Sequence, residues 1–133
     1  MNTASLPAIE ETINIFSQAY LESNNGDYNG LFHVINLWKT GLYTVYSIQS
    51  EGQLVGLAHG WCRGDDYYGH FWFSKEFRGI EASEGALIVI SRIMEDFGIN
   101  KVSSVVPQSN KKCRLFLKNI GFTNEGDKFH YGK

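Results

Sequence analysis

His70 is the residue of this chain best suited to accept a proton near neutral pH. It lies in the aromatic run 67–74, whose alternation is that of a strand, so its side chain shares a face with Tyr68 and Trp72. Imidazole has an ordinary pKa of about 6.5, which makes it a suitable general base at neutral pH. We therefore take His70 as the candidate catalytic base and His59 as a weaker second candidate. The alternative is that His70 is a packed or half-exposed strand residue.

His59 and Cys62 lie close together in sequence, and such a pair first suggests a metal site. Their spacing of three residues, however, directs the two side chains to opposite faces of a regular strand. A structural zinc ion also requires four ligands, and no third or fourth ligand stands at a suitable spacing. We therefore expect ordinary strand residues here and no metal.

The segment 110–122 has the pattern of a short, complete helix. Asn110 is a suitable first residue, and Gly121 stands where a left-handed residue ends many helices. Phe122 then opens a short strand. The residues expected to face a core are Leu115, Phe116 and Ile120.

The remaining periodicities predict the elements that position these residues. Two helices come first, over 7–24 and 27–41. Three antiparallel strands follow, over 43–48, 54–61 and 67–74, the first two joined by a hairpin turn at Glu51-Gly52. A polar stretch then leads into a long helix that ends at Gly98. The strand 101–107 is expected to run parallel to the strand before that helix, because a helical crossover joins them. A helix over 110–120 and a strand over 128–131 complete the order ααβββαβαβ, and an additional first strand is left open.

Composition limits the classes of protein to consider. The chain has 133 residues, 43% of them hydrophobic, which suits one mixed α/β domain spanning 1–133 with a sizeable core. The net charge of −2, without a basic stripe, disfavours a nucleic-acid partner. The two cysteines are too few for a disulfide scaffold. No signal-peptide pattern and no apolar run of about 20 residues is present, so we expect a cytoplasmic protein that does not enter membranes.

Two segments resemble the GNAT N-acetyltransferase superfamily. They are Phe73-Ser-Lys-Glu-Phe-Arg-Gly79 followed by a helix, and the segment 110–122. The resemblance covers about 42–131 and implies a GNAT-like fold, in which a mostly antiparallel meander precedes a β-α-β-α-β half. It also implies transfer of an acetyl group from acetyl-coenzyme A to an amine, on a small molecule or a protein. In that superfamily two neighbouring strands splay, the cofactor enters the gap, and its pyrophosphate lies at the start of the long helix.

The resemblance also implies a set of cofactor-binding residues. These are Phe73, Ser74, Arg78, Gly79, Ile80, Glu81, Ala82, Ser83, Glu84 and Asn110. The superfamily pattern has Arg or Gln, two variable residues, Gly, one variable residue, and Gly or Ala. Arg78 fits this pattern, but Glu81 replaces the first glycine after it and Ser83 the second small residue. A carboxylate beside a pyrophosphate costs about 1 kcal/mol near water.

A further departure concerns the proton donor. Enzymes of the superfamily often carry a tyrosine that protonates the departing thiolate, and Leu117 stands at that position. Cys113 lies about one helical turn earlier and would face the same cleft.

These departures leave a second hypothesis open, a GNAT-fold protein that has lost the chemistry and serves as a binding or structural part. Its partner would be another protein or a second copy of the chain, held through the aromatic strands. The run from Phe116 to Gly121 also resembles small GNAT-like proteins encoded by tailed phages. That resemblance implies a virion or assembly component, and hence a location in the virion.

Overall fold

The computed structural model describes residues 2–5, 9–23, 25–74 and 79–132, with the backbone alone for 2–5, 9–12 and 23. These residues form β1 (Asn2–Ser5), α1 (Ile9–Ser23), α2 (Tyr28–Lys39), β2 (Thr44–Ser50), β3 (Gln53–Arg63), β4 (Asp66–Phe73), α3 (Ile80–Phe97), β5 (Lys101–Val105), α4 (Lys111–Asn119), β6 (Thr123–Glu125) and β7 (Lys128–Gly132).

The strands form one sheet in the order β1-β2-β3-β4-β5-β7-β6, in which β4 and β5 are parallel and the other neighbours antiparallel. The parallel pair is short, because Tyr67 pairs with Val102 and Tyr68 with Ser103, and the register ends there. β4 nevertheless continues to Phe73. The two strands therefore diverge toward their carboxyl ends, which confirms both the predicted parallel pair and the splay that the resemblance implied.

The meander also matches its prediction. The β2–β3 turn has positive φ at Glu51 (53°) and Gly52 (81°), the conformation of a type I′ hairpin. The additional first strand that the sequence left open is present, since β1 pairs antiparallel with β2 at the sheet edge. Four residues of mixed polarity carry no periodicity from which such a strand could be predicted.

Helices cover both faces of the sheet. On the first, which we call the α3/α4 face, Ala86, Val89 and Ile90 pack with strand residues such as Phe73. On the second, the α1/α2 face, Phe16 and Trp38 pack with strand residues and with the partly buried Trp72. Each large side chain buried in these layers contributes about 1.5–3 kcal/mol. Phe73 and Trp72 thus lie on opposite faces, as the alternation of β4 predicted.

Helix α4 is fixed at both ends by the predicted residues. The Asn110 side chain accepts a hydrogen bond from the backbone N–H of Cys113 (3.2 Å). After the helix, Gly121 has a φ of 110°, and the N–H of Phe122 donates to the carbonyl of Leu117 (2.9 Å). This is the Schellman arrangement, in which glycine is favoured.

The predicted buried face of α4 is partly wrong. Leu115 is 61% exposed, whereas Leu117 is 1% exposed. The buried stripe follows the helical spacing of Cys113, Leu117 and Ile120. Leu115 lies about 200° around the helix from Leu117, on the solvent side.

Candidate active site

A first cleft, the outer cleft, lies where β4 ends and α3 and α4 begin. It has a volume of about 540 Å³. It is lined by Glu22 of α1, by Phe71, Trp72 and Phe73 of β4, by Gly79 and Ala82 at the start of α3, and by Asn110, Lys112, Cys113 and Phe116 at the start of α4.

A second cleft, the inner cleft, adjoins it and has a volume of about 340 Å³. It is lined by His59, His70, Phe71, Ser104, Val105, Val106, Pro107, Asn110, Cys113 and Leu117. His59 packs against Phe16 of α1, so it lies on the α1/α2 face, whereas Leu117 belongs to α4 on the opposite face. A cleft lined from both faces must pass through the sheet, and the diverging ends of β4 and β5 provide the opening.

Three phenylalanines form a wall of the outer cleft, and one of them, Phe71, also lines the inner cleft. The ring centroids of Phe71 and Phe116 are 6.5 Å apart, and those of Phe73 and Phe116 are 5.9 Å apart with an edge-to-face tilt. Phe73 is held beside Gly56, its cross-strand partner, where even a Cβ atom would come within 2.5 Å of the ring. The glycine therefore provides the space that positions this wall.

The predicted cofactor-binding residues divide into two groups. Phe73, Gly79, Ala82 and Asn110 line the outer cleft together. Ser74 instead lines a groove beside the β2–β3 hairpin, and its N–H donates to the carbonyl of Val55 (2.9 Å). Arg78 lies outside the described residues.

The first turn of α3 explains the placement of the remaining predicted residues. Ile80, Glu81 and Glu84 are exposed and do not line either cleft. The N–H and the hydroxyl of Ser83 both bond to the carbonyl of Gly79, at 3.1 and 3.3 Å. Gly79 and Ala82, about one helical turn apart, therefore line the outer cleft. The superfamily pattern had suggested Glu81 and Ser83 instead.

Two features of the outer cleft favour an anion, and the carboxylate of Glu22 in the lining opposes them. Gly79 begins α3 with a φ of 127°, a conformation that favours glycine, and it has no side chain with which to cap the helix. The 18-residue helix directs the positive end of its dipole toward the cleft. Lys112 adds a positive charge to the lining.

Two histidines are paired across β3 and β4, with ring centroids 5.8 Å apart. His59 is 3% exposed, and this burial lowers its pKa to about 3, so its ring is neutral. Its Nδ1 is hydrogen-bonded to the hydroxyl of Tyr43, whose own pKa burial raises well above its ordinary value. A neutral tyrosine hydroxyl can donate to this nitrogen or accept from it, so the bond fixes the orientation of the ring rather than its tautomer.

His70 differs from His59 in its exposure. It reaches the surface, yet the protein atoms around its ring lower its pKa below the ordinary 6.5 by desolvation. The ring is therefore neutral at pH 7 and able to accept a proton. Its position at the inner cleft agrees with the predicted base, and its catalytic role stays a prediction.

Cys113 and Leu117 face the gap from α4. Leu117 is buried at the inner cleft and offers no proton, as its sequence position implied. Cys113 lines both clefts, so the prediction that it faces the same cleft as Leu117 is confirmed. Burial raises the pKa of its thiol, which therefore stays protonated at neutral pH.

His59 and Cys62 lie on opposite faces of β3, as predicted, since Cys62 packs into the core of the α3/α4 face. Within the described parts of the chain, no three residues of the types that bind metal ions come together. No helix in those parts has the length and apolar character needed to cross a membrane.

The geometry thus defines a mixed α/β protein with a binding cleft that passes through its sheet. No protein-family model and no curated protein matches the sequence. Solved structures do match it. Mutant forms of the spermidine/spermine N-acetyltransferase SpeG from Vibrio cholerae give a TM-score of 0.78 at 11% identity, over 99% of this chain and 95% of that one.

Two further matches were solved with coenzyme A. The PaiA N-acetyltransferase from Thermoplasma acidophilum gives a TM-score of 0.73 at 14% identity, over 100% of this chain and 99% of that one. The ribosomal alpha-N-protein acetyltransferase RimL gives 0.71 at 15% identity, over 98% and 94%. The chain therefore has the fold of the GNAT N-acetyltransferases, which confirms the predicted fold class.

Proposed function

We propose that this protein is an N-acetyltransferase that uses acetyl-coenzyme A and acetylates a primary amine. The observation that carries the proposal is the inner cleft, which joins the two faces of the sheet through the gap between β4 and β5. A donor bound on the α3/α4 face and an acceptor bound on the α1/α2 face would meet there. Structural neighbours that are acetyltransferases, two of them with coenzyme A, support the same activity.

The residues of the outer cleft fit the chemical parts of the cofactor. The first turn of α3, at Gly79 and Ala82, would hold the pyrophosphate, helped by the charge of Lys112. The phenylalanine wall and Asn110 would hold the less polar arm. When bound, acetyl-coenzyme A would supply an activated acetyl group as a thioester. Glu81 is exposed beside this turn, so its carboxylate weakens binding without occupying the cleft.

His70 would take the proton from the attacking amine. Its ring is neutral at pH 7 and lines the inner cleft, the two properties that a general base requires. Beside it, the His59 ring would keep a fixed orientation, because its Nδ1 is hydrogen-bonded to the hydroxyl of Tyr43. Cys113, whose thiol is protonated and lines both clefts, would replace the missing tyrosine as proton donor to the departing thiolate.

Calorimetry and an acetylation assay test the proposal together. Acetyl-coenzyme A should bind with measurable heat, and mass spectrometry should detect acetylated product from a panel of primary amines. His70→Gln, which keeps a polar side chain of similar reach, should lower kcat/KM about 10²–10⁴-fold and leave cofactor binding unchanged. Absence of both binding and transfer across the panel would overturn the proposal.

The non-catalytic alternative, the phage relationship, the cellular location and the partners all stay predictions. A cleft lined by a neutral histidine and a protonated thiol is the observation that favours the enzyme over a binding module.

A further inference from the structure

His59 stands directly beside the proposed base and has no part in the proposed proton transfers. His59 and His70 are cross-strand partners, so their side chains lie on the same face of the sheet, the α1/α2 face on which the acceptor would bind. Their ring centroids are 5.8 Å apart with a tilt of 42°, and both residues line the inner cleft. An amine that reaches His70 therefore also meets His59.

The ring of His59 is held in place from three sides. Phe16 of α1 meets it edge to face, with ring centroids 5.3 Å apart and an interplanar angle of 85°, and the ring of Tyr20 from the same helix lies at 6.5 Å. The hydroxyl of Tyr43 is hydrogen-bonded to its Nδ1. Because Nδ1 is held, the direction of the second ring nitrogen, Nε2, is fixed as well.

Nε2 of His59 opens into the inner cleft. It has no hydrogen-bond partner among the described residues. Of the side-chain nitrogens and oxygens in those residues, Trp72 Nε1 is the one that is both buried and without a partner. Nε2 is therefore not buried, and the small exposed surface of His59 includes this atom. Since His59 lines the inner cleft, that surface is reached from the cleft.

A neutral primary amine carries two N–H groups and one lone pair, so two acceptors can hold it while the lone pair stays free. Hydrogen bonds from an N–H are about 2.9–3.0 Å long, so one amine nitrogen reaches two acceptors up to about 6 Å apart. The 5.8 Å separation of the two histidine rings allows this. Nε2 of His59 accepts when the ring proton lies on Nδ1 and is donated to the Tyr43 oxygen, one of the two arrangements that the hydroxyl permits.

We propose that His59 makes the site specific for primary amines, by accepting one N–H of the acceptor at Nε2 while His70 accepts the other. The proposal rests on the acetyltransferase function and deepens it. As the bond between the amine nitrogen and the acetyl carbon forms, His70 takes the proton that it holds, the carbon–sulfur bond breaks, and the thiolate takes the proton of Cys113. Exchange with solvent then restores both side chains.

The N–H held by His59 remains in the amide product. A secondary amine has a single N–H, which it must give to His70, so the Nε2 of His59 is left without a partner in its complex. The structure thus favours a primary amine by one hydrogen bond over its N-methyl derivative.

The test compares the best primary amine of the panel with its N-methyl derivative in a steady-state acetylation assay. His59→Phe keeps an aromatic ring without the acceptor nitrogen, and it should lower kcat/KM about tenfold for the primary amine and less than about threefold for the N-methyl derivative. An equal loss for the two amines would show that the ring acts through packing, which overturns the inference and leaves the acetyltransferase function standing. Failure of all amines, with no binding of acetyl-coenzyme A, would instead refute the proposed function.

Two further variants complete the test. Tyr43→Phe removes the hydroxyl that holds Nδ1 and keeps the imidazole, so the ratio of kcat/KM between the primary amine and its N-methyl derivative should fall about threefold. His33→Phe makes the same change as His59→Phe on the exposed surface of α2, and it should leave the ratio unchanged. A ratio that does not respond to Tyr43→Phe, or that responds equally to His33→Phe, contradicts a fixed acceptor at His59. Thermal melts establish that each variant is folded.

Discussion

Gly56→Ala tests how the phenylalanine wall is held. The added Cβ would lie 2.5 Å from Phe73 Cδ1 and 2.9 Å from the carbonyl oxygen of Trp72. Carbon atoms in contact sit about 3.5–4.0 Å apart, so the ring has to move by about 1 Å. The room available to it is the outer cleft, which Phe73 lines.

Two quantities should change in this variant. Overpacking of this kind lowers the free energy of unfolding by about 1–3 kcal/mol, measured by urea denaturation. If the displaced ring makes the binding free energy of acetyl-coenzyme A about 1 kcal/mol less favourable, the Kd measured by calorimetry rises about fivefold.

The double variant Gly56→Ala with Phe73→Leu is the control, because a smaller side chain at 73 relieves the clash with the ring and leaves the contact with the Trp72 carbonyl oxygen. Gly56→Ala should then lower the free energy of unfolding by less in the Phe73→Leu background than in the native one, and the difference should be at least about 1 kcal/mol. Additive effects, or a Gly56→Ala variant with unchanged stability and unchanged Kd, would refute the packing argument.

Three further predictions follow from the site. The pKa of His59 is about 3 when folded and about 6.5 when unfolded. The unfolded state therefore binds the extra proton below pH 6.5, and the free energy of unfolding should fall with falling pH, approaching about 1.4 kcal/mol per pH unit from this group. His59→Gln should reduce that slope in urea denaturation between pH 4 and 6.5, and an unchanged slope would count against the buried neutral ring. Cys113→Ala should lower kcat about tenfold, and Cys113→Ser, which keeps a hydrogen-bond donor, should lower it less. Equal decreases in kcat would show that the thiol acts through packing and not as a proton donor. Glu81→Gln should tighten coenzyme A binding by up to about fivefold at low salt and less at 0.5 M salt, and calorimetry showing no change at low salt would contradict a repulsive carboxylate.

The sequence predicted the framework because its signals are local. Asn110 and Gly121 mark the ends of α4 by their capping chemistry, and the alternation of β4 places Phe73 and His70 on opposite faces. The parallel pairing of β4 and β5 follows from the intervening helix. The first two features depend on residues close together in the chain, and the third depends on the order of consecutive elements.

The remainder of the site depends on contacts between distant segments. Leu115 and Leu117 are both apolar, and the position of α4 over the sheet decides which one is buried. Glu22 reaches the outer cleft because of how α1 packs on the sheet. Ser74 departs from the predicted site because its N–H pairs with Val55 across the meander. No local pattern contains such information.

We propose that coenzyme A enters the sheet between β4 and β5. The most direct measurement is a crystal structure of the protein soaked with acetyl-coenzyme A. We expect the pyrophosphate at the first turn of α3, beside Gly79 and Ala82, and the acetyl group in the inner cleft between His70 and Cys113. Cofactor bound elsewhere, or a gap that stays empty at saturating cofactor, would contradict it.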